Sequence, residues 1–257
     1  MTDLTKASYI LSCIDAWARQ RKFAKHIMDQ SQKASFHNYP ELEQIRLLAE
    51  LMKEPARYNH CLESYISRVT CRLAWGVSTP SEELKQRARE LLIGVSPTGA
   101  LGNKLAFLMR LPDWLVPAKA WERRRASTER RFFQIMQNEV QADMKQQGHK
   151  QEAPPSWMST FLKSPTSWRF QSDLEGAYAV GMHGIAGALT IAAPMQTLCL
   201  ALCYYPQYQS MLQEEIDSVC GDRRPEYSDA PNMPVLRAFI REALRWRPPV
   251  PTGKMKS

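Results

Sequence analysis

GAYAVGMHGIAGALTIAAPMQTLCLALCYY, residues 176–205, contains no Asp, Glu, Lys or Arg. A charge-free stretch of this length has two physical homes, a bilayer or the middle of a helical domain. It exceeds the roughly 20 residues that a membrane crossing needs. Its texture points the other way. Gly176, Gly181, Gly184, Gly187 and Pro194 dilute its apolar character, and His183, Thr190, Gln196 and Thr197 are polar. We read it as the buried central helix, about 172–205, of an all-α domain. Gly181, Gly184 and Gly187 fall at three-residue steps, which clears side chains from one strip. Something flat, or another backbone, can then approach closely.

Helix signals dominate the residues on either side. Trp17 to Met28 alternates basic and apolar residues at helical spacing, with Arg19, Arg21, Lys22 and Lys25 crowded together. Tyr39-Pro40 interrupts. Glu41 to Lys53 resumes with Leu42, Ile45, Leu48 and Leu51 forming a helix face. Beyond Pro55, Leu62, Tyr65, Val69 and Leu73 share one side of a helix that stops at Trp75-Gly76. Ser81 to Ile93 opens with Ser81, Glu82 and Glu83 as capping residues and closes at Gly94. None of these segments alternates β-branched residues, so little sheet is expected.

Residues 96–117 hold Pro97, Gly99, Gly102, Pro112 and Pro117 around the apolar words KLAFLMRL and DWLV. Two readings stand side by side. In one, Phe107, Leu108, Met109, Trp114 and Leu115 make a membrane-dipping patch over about 105–116; in the other they pin a loop to the core. Trp121 to Lys145 reads as a long charged helix. Its arginine clusters (123–125 and 130–131) are interleaved with Glu122, Glu129 and Glu139 and lack stacking aromatics, so we read a solvated face and no nucleic-acid partner. Lys145 to Ser156 reads as a linker.

The chain has 257 residues, a hydrophobic fraction of 44% and a charged fraction of 23%, which excludes fibrous and wholly disordered classes. Six cysteines are too sparse for a disulfide scaffold, so reduced thiols are expected. A net charge of +8 permits an anionic partner without naming one. The opening, MTDLTKASYILSCIDAW, carries Asp3 and too short an apolar run for a signal peptide or anchor. Familiar catalytic motifs fail. Gly94 to Gly99 opens like a phosphate loop, but Ala100 and Leu101 stand where Lys and Ser/Thr are required. There is no His-Glu-x-x-His and no Gly-x-Ser-x-Gly. The five histidines share no ligand spacing.

Three signals remain. Trp17-x-x-x-Arg21 sets an aromatic and a guanidinium one helical turn apart, suited to gripping a carboxylate beside a flat apolar group. Ala186-Gly187-Ala188-Leu189-Thr190 is a glycine-thinned turn with a lone hydroxyl. Glu242-x-x-Arg245 is an i,i+3 pair before a proline-rich stop. Each alone is common. Their order, with the text YYPQYQSMLQEEIDSVCGDRRPEYSDAPNMPVLRAFIREALRWRPPVPTG between and around them, resembles the J-helix to K-helix passage of a cytochrome P-450, most closely the fungal membrane-associated kind. Pro206, the run Gln213 to Asp217, the turn Gly221–Arg224, Asp229 and Glu242/Arg245 followed by Arg-Pro-Pro carry that likeness. AWARQRKFAKHIM through Leu73–Gly76 resembles helices C to E of the same family.

The resemblance implies a single partial domain over 1–257, running from about helix C to just after helix K. It implies an all-α middle portion, without the family's N-terminal sheet region or its C-terminal heme-ligand loop. Heme is the implied cofactor, with Trp17 and Arg21 contacting a propionate. The strip at Ala186 and Gly187 would lie over the distal face. Thr190 would be the hydroxyl that organises protons for dioxygen cleavage. Glu242 and Arg245 would form a buried locking pair. Leu189 stands where the family has an acid, and no cysteine lies in a ligand-type loop. The implied activity is monooxygenation of a small apolar molecule, in fungal secondary metabolism, with electrons from an NADPH-cytochrome reductase. The chain alone is expected to be inactive. The alternative is a non-catalytic helical interaction protein. The family sits at the endoplasmic reticulum membrane; for this chain a cytoplasmic or peripheral location is expected.

Overall fold

Proline and glycine punctuation divides residues 14–95, 111–146 and 154–249, those that the computed structural model describes, into ten α-helices with no strand among them. They are α1 (Ile14–Lys33), α2 (Tyr39–Lys53), α3 (Tyr58–Trp75), α4 (Ser81–Val95) and α5 (Pro117–Gln146). Then come α6 (Trp157–Lys163), α7 (Asp173–Thr190), α8 (Ala192–Tyr204), α9 (Gln207–Cys220) and α10 (Pro234–Trp246). The all-α expectation holds. The chain forms two compact units, Met1–Tyr39 with Ser67–Ala188, and Pro40–Ile66 with Leu189–Ser257.

Aromatic side chains build the core of the first unit. On α1, Ala16, Gln20, Phe23, Ile27 and Ser31 are buried at helical spacing. The Phe23 ring meets Trp168 edge-on at 4.9 Å and Phe161 at 6.3 Å. Trp157, the first residue of α6, donates its indole N–H to the Ser31 hydroxyl at 2.9 Å in the interior. α6 is itself started by a capping box between Ser156 and Ser159. Phe133 of α5 stacks edge-on against Tyr178 of α7 at 5.2 Å. The α5 helix is less solvated than its composition suggests. Arg125 is ion-paired to Glu122 at 2.9 Å and to Glu129 at 2.6 Å, and both acids are buried. The exposed members of the cluster are Arg123, Arg124 and Arg131.

Between α1 and α2 the chain does something that its residue types do not advertise. Ser35, Phe36, His37 and Asn38 all have positive φ (48°, 52°, 56°, 56°), a full left-handed turn made without glycine. The break expected at Tyr39-Pro40 lies here instead. Pro40 falls in the first turn of α2, where its missing N–H would have had no helical partner anyway. Gly76, at φ +85°, ends α3 as expected, while α4 runs through Gly94 to Val95.

In the second unit, Leu47 of α2 packs with Cys61 and Leu62 of α3, with Leu51, Tyr65 and Met195 against them. The helix face expected at Leu42, Ile45, Leu48 and Leu51 is rotated. Leu42, Ile45 and Leu48 are more than half exposed, and the buried positions are Tyr39, Glu43 and Leu47. Tyr204 of α8 meets Trp246 of α10, and Tyr208 of α9 meets Phe239 of α10, which ties these three helices together. The Glu215 carboxylate accepts from the Val235 and Leu236 N–H groups, both at 2.8 Å, and so caps α10 from α9. Asp229 accepts two hydrogen bonds from Arg223 (2.7 and 2.6 Å) and one from the Glu226 N–H at 2.8 Å, closing the turn after α9.

The charge-free stretch is not a single uninterrupted helix. Pro194 has no N–H to offer the Thr190 carbonyl, and the helical ladder breaks at Ile191 between α7 and α8. Burial also differs along it. Residues 176–181, Gly184, Ile185 and Ala188 are buried in α7, but only Ala192 and Ala201 are in α8. The span Asp173–Tyr204, 32 residues containing an 18-residue window of mean hydropathy 1.7, is long and apolar enough to cross a membrane by length and composition.

Candidate functional site

α1 turns Trp17, Arg21, Lys22 and Lys25 outward, because its inner positions are taken by the Phe23 stripe. The Arg21 guanidinium lies 5.0 Å from the centre of the Trp17 ring, a cation–π pair at the edge of a shallow depression that Ala18, Lys25 and Met28 help to line. Arg21 has no carboxylate partner among the described residues. Arg19, two residues earlier, points elsewhere. It pairs with Glu175 at 3.3 Å, and that carboxylate, 1% exposed, also accepts from the Gln171 N–H at 2.7 Å. The helix therefore spends one arginine on its own packing and presents the other with an indole beneath it. That arrangement can hold a carboxylate next to a flat apolar body. Sequence reasoning missed Arg19 and Glu175. The signal was there in Ser172-x-x-Glu175, a capping pattern in which the Ser172 hydroxyl accepts from the Glu175 N–H at 3.2 Å.

At the glycine strip, side chains of the protein itself fill the cleared space. A Cβ at Gly176 would run into the Phe161 ring, and one at Gly181 into the Phe133 ring. At Gly184 it would meet Trp75 at 3.3 Å, and at Gly187 the Thr70 methyl at 3.1 Å. Of the two occupants that the spacing admitted, the structure has neighbouring helices, not a flat ligand, at these Cβ positions. Gly187 therefore serves close packing against α3. On the same turn Ala186 is exposed, and Leu189 and Thr190 are half-buried. His183 is bound to its own helix, with Nδ1 2.6 Å from the Ala179 carbonyl oxygen.

Glu242 and Arg245 do pair. Arg245 donates from Nε to Oε2 at 2.8 Å and from Nη2 to Oε1 at 2.5 Å. The carboxyl is held below its ordinary range and the guanidinium above its own, each by the other. The pair is not buried as expected. Its side chains are 61% and 72% exposed, because the inward face of α10 is marked by Ala243 rather than by the charged pair. Solvent screening then leaves it little to contribute.

A heme would need an axial ligand as well as a grip on its propionates. The described residues fit the second role and not the first. Cys61 and Cys71 are buried. Burial pushes up the thiol of Cys220, and the carboxylate of Asp229, 3.7 Å from its sulfur, pushes it further. Burial likewise raises Cys199, with Cys203 adding to it. A metal-binding thiolate needs the opposite environment. Among the described residues there is no cluster of three or more His, Cys, Asp or Glu that could hold a metal ion.

The sequence profile described as Cytochrome P450 matches residues 4–257. The chain is 31% identical over 245 residues to the cytochrome P450 monooxygenase virE of Hypocrea virens, covering 92% of this chain and 43% of that protein. It is 28% identical to the monooxygenase fogE of Aspergillus ruber, covering 91% and 44% respectively. It is 29% identical to the monooxygenase ple1 of Rhodocybe pseudopiperita, covering 93% and 47%. The chain thus spans less than half the length of these three relatives.

Proposed function

The chain belongs to the cytochrome P450 family, and on that premise we infer that residues 1–257 form part of one domain of a heme-dependent monooxygenase acting on a small apolar molecule. Its relatives are named as monooxygenases and come from fungi. A role in fungal secondary metabolism and an NADPH-cytochrome reductase as electron donor are proposed by likeness to that family.

The observation that carries the reading is the exposed Arg21–Trp17 pair on α1, a cation over an indole. We assign these two residues to a propionate. Ala186 and Thr190 are proposed for the substrate-facing turn, with the Thr190 hydroxyl able to hold a proton at its Oγ1. Gly187 acts there through the close approach of Thr70 rather than by touching a ligand. Glu242 and Arg245 are proposed to orient the end of α10. When bound, heme would supply the oxygen-activating chemistry. Peripheral membrane contact through 105–116 is supported by Trp114 (79% exposed) and Leu115 (50%). Phe107, Leu108 and Met109 lie outside the described residues, as does most of the linker over 145–156.

Hemin titration of the full chain, followed by its Soret absorbance, tests the assignment. Arg21→Ala is expected to weaken hemin about tenfold, the scale of one charge-assisted hydrogen bond. Hemin dimethyl ester, whose propionates carry no charge, should bind the wild type and Arg21→Ala alike. Equal hemin affinity for the two proteins would remove Arg21 from the site. Failure of hemin to bind either one would favour the alternative, a helical protein that works by contact alone. The environments of Cys199 and Cys220 predict no thiolate-type carbon monoxide spectrum from these residues.

A further inference from the structure

Beneath the left-handed turn between α1 and α2 lies a cleft of about 720 Å³, bounded by the C-terminal half of α1, by α6 and by the short helical turn Pro165–Trp168. Its size suits a small organic ligand. None of the residues lining it is Asp or Glu. Lys33 and Lys163 stand on its rim and have no carboxylate partner among the described residues. His26 and His37 also line it, as do Ser164 and Ser167, whose hydroxyls make no hydrogen bond to the rest of the described chain. The contrast with neighbouring groups is sharp. The hydroxyls of Ser31, Ser156, Ser159 and Thr160 in the same wall are all engaged in holding α6.

The wall is also aromatic. The His26 ring lies 4.8 Å from the Trp168 ring, which in turn packs on Phe23. Trp168 is half-buried and lines the cleft. The backbone reinforces the pattern. The run of positive φ from Ser35 to Asn38 is what turns His37 into this wall, and such conformations cluster where a site requires them. His37 is held below the ordinary imidazole value by burial, so the fixed positive charge comes from the two lysines.

We propose that this cleft binds a small phosphate monoester carried on a planar organic body, the phosphate between Lys33 and Lys163 and the planar part against Trp168 and His26. The chemistry is complementary throughout: two ammonium groups and uncommitted hydroxyls for the oxyanion, an indole set at 51° to an imidazole for the ring, and no carboxylate to repel it. The site does not depend on the heme assignment, since it shares no residue with the Trp17–Arg21 pair.

Adenosine monophosphate serves as the probe, with adenosine and inorganic phosphate as its two halves. Binding is read by tryptophan fluorescence of the full chain and by thermal shift. The monophosphate should quench fluorescence and raise the melting temperature, and adenosine and phosphate should each bind at least about tenfold more weakly. K33Q/K163Q should lose about tenfold or more in affinity for the monophosphate and leave that for adenosine unchanged. W168F should lose the quenching. K53Q/K145Q, which removes the same charge elsewhere, should bind as the wild type does. Equal loss in K53Q/K145Q would reduce the effect to overall positive charge. Absence of binding by the monophosphate at millimolar concentration, or binding unaffected by K33Q/K163Q in a variant that melts cooperatively, would overturn the proposal.

Discussion

The glycines of α7 are decided atom by atom. Gly181→Ala would drive a methyl into Phe133, a ring already held by Tyr178 and Phe132, so it should destabilise the protein by about 1–3 kcal/mol in a urea titration. Gly187→Ala should cost less, and Thr70→Ala should relieve it, because the contacts there are the Thr70 methyl at 3.1 Å and hydroxyl at 3.3 Å. A double-mutant cycle measures that coupling directly. Tyr178 makes a prediction in alkali. Burial, with the neighbouring Glu129 carboxylate, pushes its hydroxyl up to about 12. The unfolded chain would then ionise this group first, near pH 10, so its contribution is complete below pH 10 and is lost as the pH rises towards 12. The loss amounts to about 2–3 kcal/mol over that window. The urea midpoint of the wild type should therefore fall relative to that of Tyr178→Phe as the pH is raised from about 10 towards 12. Glu242→Gln, in contrast, should leave the urea midpoint unchanged, since the pair it breaks lies in solvent.

At the scale of elements, two junctions hold helices that their own residues would not. α10 begins Met233-Pro234, with no side-chain cap of its own. The cap arrives from α9, where Glu215 accepts from two of the first N–H groups and places a negative charge at the positive end of the helix dipole. Glu215→Ala should cost about 1–2 kcal/mol, and circular dichroism of the melt reads the loss. The left-handed turn at Ser35–Asn38 is the second junction. A β-branched residue is poorly suited to φ near +50°, so Ser35→Val should destabilise by about 1–2 kcal/mol while changing no long-range contact. Helix existence and order were legible beforehand from proline, glycine and apolar spacing. The turn was not, because His37 and Asn38 tolerate positive φ without requiring it, and Ser35 and Phe36 carry no such signal.

For the whole molecule, apolar surface is the main property. Leu42, Ile45, Leu48 and Met52 line the outside of α2, and Tyr204, Tyr205, Leu244 and Trp246 are exposed on α8 to α10. Contiguous apolar exposure drives association. Sedimentation velocity of the purified chain should show species larger than the monomer at micromolar concentration, and Ile45→Glu with Leu48→Glu should reduce them. Two helical stripes on α2 compete for the core, and apolar content alone selects the one that faces outward. The inner stripe is chosen by Cys61 and Leu62, which belong to the next helix.

By itself the sequence determined the family, the all-α class, the order of the helices and the Trp17–Arg21 pair. These rest on local spacing and on motif order, both of which are read along the chain. Tertiary structure alone decided that Arg19 is spent on Glu175, 156 residues away, while Arg21 is presented outward. It also decided that aromatic rings and Thr70 fill the glycine strip, that Glu242 and Arg245 lie in solvent, and that two lysines, an indole and an imidazole border one cleft. Each of those depends on which distant surface a side chain meets, and a periodicity of 3.6 residues carries no information about that.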